Sequence, residues 1–159
     1  IPKIMDFSGA QSNGFREAYV RFRIDRDPNH YTKLSPELQD HQKEMWSEEA
    51  SQVLRGCDFH WKNSIIRVGR TAALVPVEQR AHFRSLTERL TTVTDPNALE
   101  HCCRQLYEGY PHLHHWFSWW LCPDVARMIF PAFNPSMNNL WSHMPTTSNA
   151  IEAQHSLIH

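Results

Sequence analysis

The residues with the clearest chemical potential lie near the end of the chain. Ser148, Glu152, His155 and His159 are spaced at i, i+4, i+7 and i+11, so a helix would present all four on one face. Asn149 and Ser148 are residue types that cap helix N-termini, which predicts a helix beginning there. Carboxylate and imidazole groups on one face can bind a metal ion or carry protons. An acid in the first turn also stabilises a capped helix by itself, and this simpler interpretation stays open.

A second candidate acid stands at the other end of the chain. The segment 1–5 is short and mostly apolar, and Asp6 and Phe7 follow it. This pattern predicts a buried strand with Asp6 at its carboxyl end, which is the edge where open α/β sheets bind ligands. Ser8 is positioned to cap a following helix. The alternative is that Asp6 serves only as a turn or capping acid.

A third group of candidates begins after Gly56. Cys57 and His60 form a Cys-x-x-His pair, a spacing that can bring a thiolate and an imidazole to one zinc ion. A tetrahedral site needs a second pair of ligands. The candidates for that pair are His101, Cys102, Cys103, His112, His114, His115 and Cys122. The alternative is packing, in which Cys57 and Phe59 point inward from a strand and His60 begins the next helix.

The three stretches resemble motifs of Mutator-like (MULE) transposases and their bacterial insertion-sequence relatives, and they occur in the family's order. Asp6 and Phe7 resemble the second-aspartate motif of the family. The segment 56–60 resembles its Gly-Cys-x-Phe-His motif, and 147–152 resembles its Thr/Ser-Asn-x-x-Glu motif. A helix predicted between the first two motifs is an insertion relative to the family's spacing, and residues 71–139 align with nothing in the family.

The resemblance implies a DNA transposase catalytic core that cleaves and transfers DNA strands with two divalent metal ions, Mg²⁺ or Mn²⁺. Asp6 would bridge the two ions and Glu152 would bind one of them. The first acid of the DDE triad would precede Asp6, and none of residues 1–5 is acidic. The chain is therefore expected to be part of a longer protein and to be inactive in strand transfer by itself. The implied partner is DNA, as transposon ends and target, and self-association of the longer protein stays open.

The resemblance also implies a fold. We expect an α+β, mostly helical structure that forms the second half of an RNase H-like domain, with a helical insertion between the last strand and the final catalytic helix. The single partial catalytic domain would comprise RNase H-like strands and helices over 1–72, the insertion over 73–139 and the final helix over 140–159. Short strands are expected near Ile1–Asp6 and Arg55–Phe59.

Local signals predict most of the helices. Ser35 and Pro36 are typical of a helix start, and Gly56 is predicted to end that helix. The polar segment Arg23–Leu34 is predicted to be a loop. Further helix starts are predicted at Pro76, Pro96, Pro111 and Pro123, with Asp95 as the N-cap before Pro96.

Aromatic and basic residues supply candidates for DNA contact. The segment from Leu113 to Leu121 carries three tryptophans and predicts a helix buried nearly all round. Such a cluster can stack on bases, but core packing is the commoner use and is the one we expect. The residues assigned to DNA contact are Arg67, Arg70, Arg80, Arg84 and Asn149. The alternative for the arginines is an ordinary solvated surface.

Composition limits the classes of protein that remain. The chain has 159 residues, 41% hydrophobic and 21% charged, which is enough for one domain with a core and argues against disorder. Its formal charge of −1 means that any DNA contact must use a local basic patch. No apolar run is long enough for a membrane span, and no signal-peptide pattern is present. A nuclear or otherwise intracellular location is expected, with the four cysteines reduced or binding metal.

Two other functions remain open. One is a domesticated, non-catalytic module that derives from such a transposase and binds DNA or protein. The other is a helical protein with a metal–carboxylate site, suggested by the Glu-x-x-His spacing of Glu152 and His155. That second fold requires another Glu-x-x-His, which the sequence lacks.

Overall fold

The computed structural model describes residues 3–5, as backbone, and residues 7–135. The described chain is mostly helical, which confirms the broad expectation of fold class. Its strands are β1 (Lys3–Met5) and β2 (Leu54–Gly56). Its α-helices are α1 (Gly9–Arg26), α2 (Pro28–Tyr31), α3 (Pro36–Gln52), α4 (Asp58–Arg70), α5 (Arg80–Leu90), α6 (Pro96–Gly109), α7 (His114–Trp120) and α8 (Pro123–Ile129). Short 3₁₀ turns cover Val77–Gln79, Pro111–Leu113 and Pro131–Phe133.

The two strands form a small parallel sheet. Lys3 is opposite Leu54 and Met5 is opposite Gly56 in its register. The first strand lies where the sequence predicts it, but the second ends three residues earlier than predicted. Cys57 is the N-cap of α4, and Phe59 lies in the first turn of that helix with its side chain exposed. The interpretation of Cys57 and Phe59 as inward residues of a strand is therefore wrong.

Helical periodicity explains why the strand stops at Gly56. The residues of α4 that are buried are Trp61, Ser64, Ile65 and Val68, which recur at three- and four-residue intervals. Only a helix places such a set on one side. Asp58 in the first turn lies near the partial positive charge of the helix N-terminus, which favours the helix further.

Capping residues define several other helix starts, as the sequence predicts. The hydroxyl of Ser8 accepts a hydrogen bond from the backbone N–H of Gln11 at 3.4 Å. Ser35 makes the equivalent bond in α3, and Pro36 occupies the first helical position. Asp95 gives the shortest of these caps, with its Oδ2 2.7 Å from the backbone nitrogen of Ala98. Side chains that satisfy free N–H groups thus fix where the helices begin.

Two predicted boundaries are wrong. The segment expected to be a loop, Arg23–Leu34, contains the end of α1 and all of α2. Asp27 caps α2 by accepting from the backbone N–H of His30 at 3.1 Å, so an Asp-Pro pair that resembles a turn begins a helix. Helix α3 ends at Gln52 rather than at Gly56, because pairing with β1 draws the next residues into a strand.

The main core lies between α4 and the helices that follow it. Trp61 of α4 is 2% exposed and packs against Trp116, Trp120 and Phe130, with ring centroids 4.7–5.3 Å apart. Ile65 belongs to the same buried cluster, which extends through α5 to α8. Helix α4 and residues 75–132 therefore share one core, although the sequence assigns them to different parts of the domain.

Helices α1 and α3 pack against each other as a pair beside this core. The hydroxyl of Tyr19 donates to Glu49 Oε1 at 2.8 Å, and Arg23 lies 3.3 Å from the same carboxylate. The pair is tied to the rest of the molecule by Arg127 of α8, which donates to both oxygens of Glu48 at 2.9 and 3.2 Å. Across the described ranges, no helix is both long enough and apolar enough to cross a membrane.

Candidate functional site

The strands end at a tightly packed edge. Phe7 follows the end of β1 by two positions and adopts a φ of 55°, the left-handed conformation that costs a non-glycine residue about 1–2 kcal/mol. Its ring lies directly on Gly56, where a Cβ would overlap ring atoms of Phe7. The two chain stretches that carry the first two motifs are therefore in contact. Backbone strain of this kind often marks a functional site.

Cys57 and His60 lie at the start of α4, on the same edge. Cys57 is fully buried, and His60 is partly buried and lines a cavity. Across residues 3–5 and 7–135, no group of three or more His, Cys, Asp or Glu side chains is arranged to hold a metal ion. The proposed second pair of zinc ligands therefore does not gather around Cys57 and His60 in that part of the chain. Zinc binding stays a prediction.

The thiol of Cys103 is poorly suited to metal binding. Burial, with smaller contributions from Cys102 and Glu100, raises the pKa of Cys103 from 9.0 to about 11. A thiol must lose its proton to bind zinc, so binding here would have to overcome that preference for the neutral form.

Asp58 is the described acid closest in sequence to the strand ends. Its carboxylate lies 3.5 Å from Arg55 Nη2. Burial raises the pKa of Asp58, while the positive charges of Arg55 and Lys62 oppose that rise. Desolvation thus has the larger effect, and the group is a weaker acid than a surface aspartate.

A cavity of about 440 Å³ opens beside this edge. One wall is aromatic and comprises Phe7 with the tryptophans of α7. The other wall is polar and comes from α4, with His60, Asn63 and Arg67 on one face. We call this space the aromatic pocket. It combines planar apolar surface with hydrogen-bonding and cationic groups, a combination that suits ligands with both a ring and a charge.

The predicted DNA-contacting arginines divide between two cavities. Arg67 lines the aromatic pocket. Arg70, Arg80 and Arg84 line a second cavity of about 290 Å³ between α4 and α5, whose floor includes Phe83. Arg80 also donates to the backbone carbonyl of Arg70 at 2.9 Å, and Arg84 pairs with Glu88 at 2.8 Å. The structure therefore brings three of the arginines together and separates the fourth.

The aromatic pocket includes residues that sequence reasoning assigned elsewhere. The tryptophan-rich helix α7 is not buried all round, because Trp119 is 47% exposed at the mouth of this pocket. The prediction of nearly complete burial is wrong, since a helix of seven residues lies against the core with one side only. Asn63 is not among the site residues predicted from the sequence. Its position three residues after His60, on the same helix face, is the signal that could have identified it.

Three predicted site residues lie outside the described part of the chain. These are Asp6, Asn149 and Glu152. Their mutual arrangement, and with it the predicted metal site, stays a prediction.

No protein-family model, curated protein or solved structure matches the chain. The family suggested by the three motifs is therefore a hypothesis that depends on those motifs and on the geometry described above.

Proposed function

We propose that this chain is the C-terminal part of the catalytic core of a DNA transposase of the Mutator-like type, and that it forms the second half of an RNase H-like domain. The observation that carries the proposal is the parallel pairing of β1 with β2, in which Met5 is opposite Gly56. The two motif-bearing stretches are distant in sequence, and this register makes them neighbours.

Parallel pairing of β1 with β2 creates a sheet edge that could bind a ligand. The carboxyl ends of both strands lie at the same side of the sheet, which is where α/β proteins bind ligands. Asp6 follows Met5 directly in the sequence, and Cys57–His60 follow Gly56. The left-handed conformation of Phe7 at this edge supports a functional role, since such strain persists only where the surroundings impose it.

The proposed chemistry requires metal-binding carboxylates. Asp6 and Glu152 are the residues that would hold the divalent cations. Two such ions, when bound, stabilise the attacking and leaving oxygens of an in-line displacement at phosphorus. Both side chains are carboxylates, which suits this role because Mg²⁺ and Mn²⁺ prefer oxygen donors.

Local positive charge supports DNA as the partner. Arg70, Arg80 and Arg84 converge on one cavity although the whole chain has a formal charge of −1. A guanidinium group binds phosphate oxygens through paired hydrogen bonds. Such a cluster provides the local basic patch that a near-neutral DNA-binding protein needs.

The proposal is tested by DNA cleavage and strand-transfer assays with Mg²⁺ or Mn²⁺. The 159-residue chain is compared with a chain extended upstream to include an acid-tipped strand. We expect no strand transfer by the short chain and metal-dependent cleavage by the long one. Asp6→Ala and Glu152→Ala should each reduce cleavage to background, whereas Asp25→Ala, which removes an exposed acid of α1, should not.

The outcome also separates the alternatives. Cleavage that survives both Asp6→Ala and Glu152→Ala would show that the acids are wrongly assigned. DNA binding without cleavage by the longer chain would instead favour a domesticated, non-catalytic module. Stoichiometric iron binding without DNA binding would favour the helical metal–carboxylate protein.

A further inference from the structure

Trp119 presents an aromatic face at an unusual position. The residue is 47% exposed although its ring packs edge-on against Trp120 at 4.6 Å and against Phe7 at 6.0 Å. These neighbours hold the ring from two sides and leave a substantial part of its surface to the aromatic pocket. A fixed, exposed indole is a ready platform for stacking, because its orientation is set before any ligand binds.

The opposite wall supplies a cation that is not neutralised. Arg67 is exposed on α4, and within the described residues its guanidinium makes no ion pair or hydrogen bond. Asn63 lies one turn earlier on the same face. Its side-chain amide offers both a donor and an acceptor, the pair that reads the edge of a base.

A buried donor in the same pocket lacks an acceptor. The indole N–H of Trp116 is inaccessible to solvent and has no hydrogen-bond partner among the described residues. Trp116 also lines the aromatic pocket. An unsatisfied buried donor is costly, and the N–H becomes available to an acceptor only if the Trp116 ring shifts.

We propose that the aromatic pocket binds one unpaired nucleotide of single-stranded DNA. The base stacks on Trp119, its edge meets Asn63, and its phosphate pairs with Arg67. The volume of about 440 Å³ lies in the range of about 300–1,000 Å³ that is typical of small-ligand sites. A nucleotide unites the three required features, namely a π-face, hydrogen-bonding atoms on its edge and an anion. The choice of DNA over other nucleic acids rests on the proposed function, whereas the stacking site rests on the pocket alone.

The binding is measured by fluorescence anisotropy with a short labelled oligo(dA), on the 159-residue chain, in EDTA. The comparison ligand is an abasic oligonucleotide of equal length, which has the same phosphates but no bases. We expect the abasic strand to bind about 5- to 150-fold more weakly, the range for loss of one stacked base. Trp119→Ala should abolish this difference, and Trp119→Phe, which keeps an aromatic face, should retain most of it.

Matched variants separate the site from general effects. Arg67→Ala should weaken binding and lower its salt dependence, whereas Arg89→Ala, which removes an exposed arginine outside the pocket, should leave both nearly unchanged. Phe22→Ala, which removes a side chain that is 58% exposed on α1, should not affect the preference for bases. A cooperative thermal unfolding transition in each variant shows that the variant is folded.

Four results would overturn the proposal. They are equal affinity for the abasic and normal strands, an unchanged base preference in Trp119→Ala, equal affinity for duplex DNA, and tighter binding of RNA or of free dAMP than of the DNA strand. Because the assay contains EDTA, it does not depend on the metal chemistry of the proposed function. If the chain extended upstream bound single strands but never cleaved DNA, the transposase assignment would be contradicted and the pocket assignment would stay intact.

Discussion

The ring of Phe7 lies against the backbone of Gly56, and this contact leaves no room for a side chain at position 56. The contact joins the residue after Asp6 to the residue before Cys57. The ring of Phe7 also packs against Trp120, with 5.0 Å between ring centroids. Phe7 therefore links the ends of the two strands to helix α7.

Gly56→Ala should therefore destabilise the protein. The added methyl group would displace the Phe7 ring, and overpacking of this kind typically costs about 1–3 kcal/mol in the free energy of unfolding. Urea unfolding measures the change. Gly14→Ala is the matched control, because a Cβ at Gly14 would meet nothing within 4 Å and Gly14 lies inside α1.

The control, Gly14→Ala, should raise the free energy of unfolding instead of lowering it. Alanine is favoured over glycine inside a helix by about 0.5–1 kcal/mol, so Gly14→Ala should stabilise the chain.

A double variant tests whether the Phe7 ring causes the loss in Gly56→Ala. When Phe7 is already alanine, adding Gly56→Ala should lower the free energy of unfolding much less than Gly56→Ala does alone. An additive loss in the double variant would mean that the two residues do not interact.

Among these variants, Trp61→Ala should lower the free energy of unfolding the most. Trp61 is 2% exposed and touches three other aromatic rings, so Trp61→Ala should cost about 3–5 kcal/mol. Trp61→Phe should cost less, because it keeps part of the volume. Trp119→Ala removes the same side chain from a half-exposed position and should cost clearly less than Trp61→Ala by the same urea measurement. Similar losses at both positions would contradict the assignment of the core.

Arg80 and Arg67 should differ in their effect on stability. Arg80 donates to the carbonyl of Arg70 at the end of α4, so Arg80→Ala should lower the free energy of unfolding by about 1 kcal/mol. Arg67→Ala should change it by less than about 0.5 kcal/mol, as is usual for an exposed side chain without such a bond. Equal effects of the two variants in urea unfolding would show that the bond contributes little.

Cys103 should resist alkylation in the folded protein. Because burial raises the pKa of Cys103 from 9.0 to about 11, its thiolate fraction at pH 8 is about 100-fold lower than in the unfolded chain. Iodoacetamide should therefore modify it at least about 100-fold more slowly in the native state, as measured by mass spectrometry of the peptide. Similar alkylation rates of Cys103 in the folded and unfolded chain would contradict the raised pKa.

The raised pKa of Cys103 also predicts how the free energy of unfolding depends on pH. Between pH 9 and about 11 the unfolded chain releases the Cys103 proton before the folded chain does. Folding stability should therefore fall as pH rises through this range. Cys103→Ser should remove that part of the decline, which a comparison of urea unfolding at pH 8 and pH 10 measures.

Some of this structure could be predicted because the causes are local. Ser8, Ser35 and Asp95 satisfy backbone groups only three residues away, so sequence alone identifies the helix starts that they cap. The strand ahead of Asp6 was also predicted, from a short apolar run. The broad class, mostly helical, follows from the sum of such local signals.

Other features depend on contacts that no local pattern specifies. The end of α3 and the exposed face of Trp119 result from packing between segments far apart in the chain. The aromatic pocket was missed for that reason, since α4 and α7 supply its two walls. The predicted arrangement of Asp6 with Glu152 concerns residues outside the described part, and it stays a prediction.

The pairing of β1 with β2 also has a consequence for the order of folding. The two strands have three residues each, and the paired residues Lys3 and Leu54 are 54 − 3 = 51 positions apart. Closing so long a segment costs entropy, and a pair of short strands offers few hydrogen bonds in return. Helices α5 and α6, which are neighbours in the chain, can associate without that cost. The edge that carries both motifs is therefore expected to assemble after the helical core and to exchange its amide hydrogens sooner than the core does.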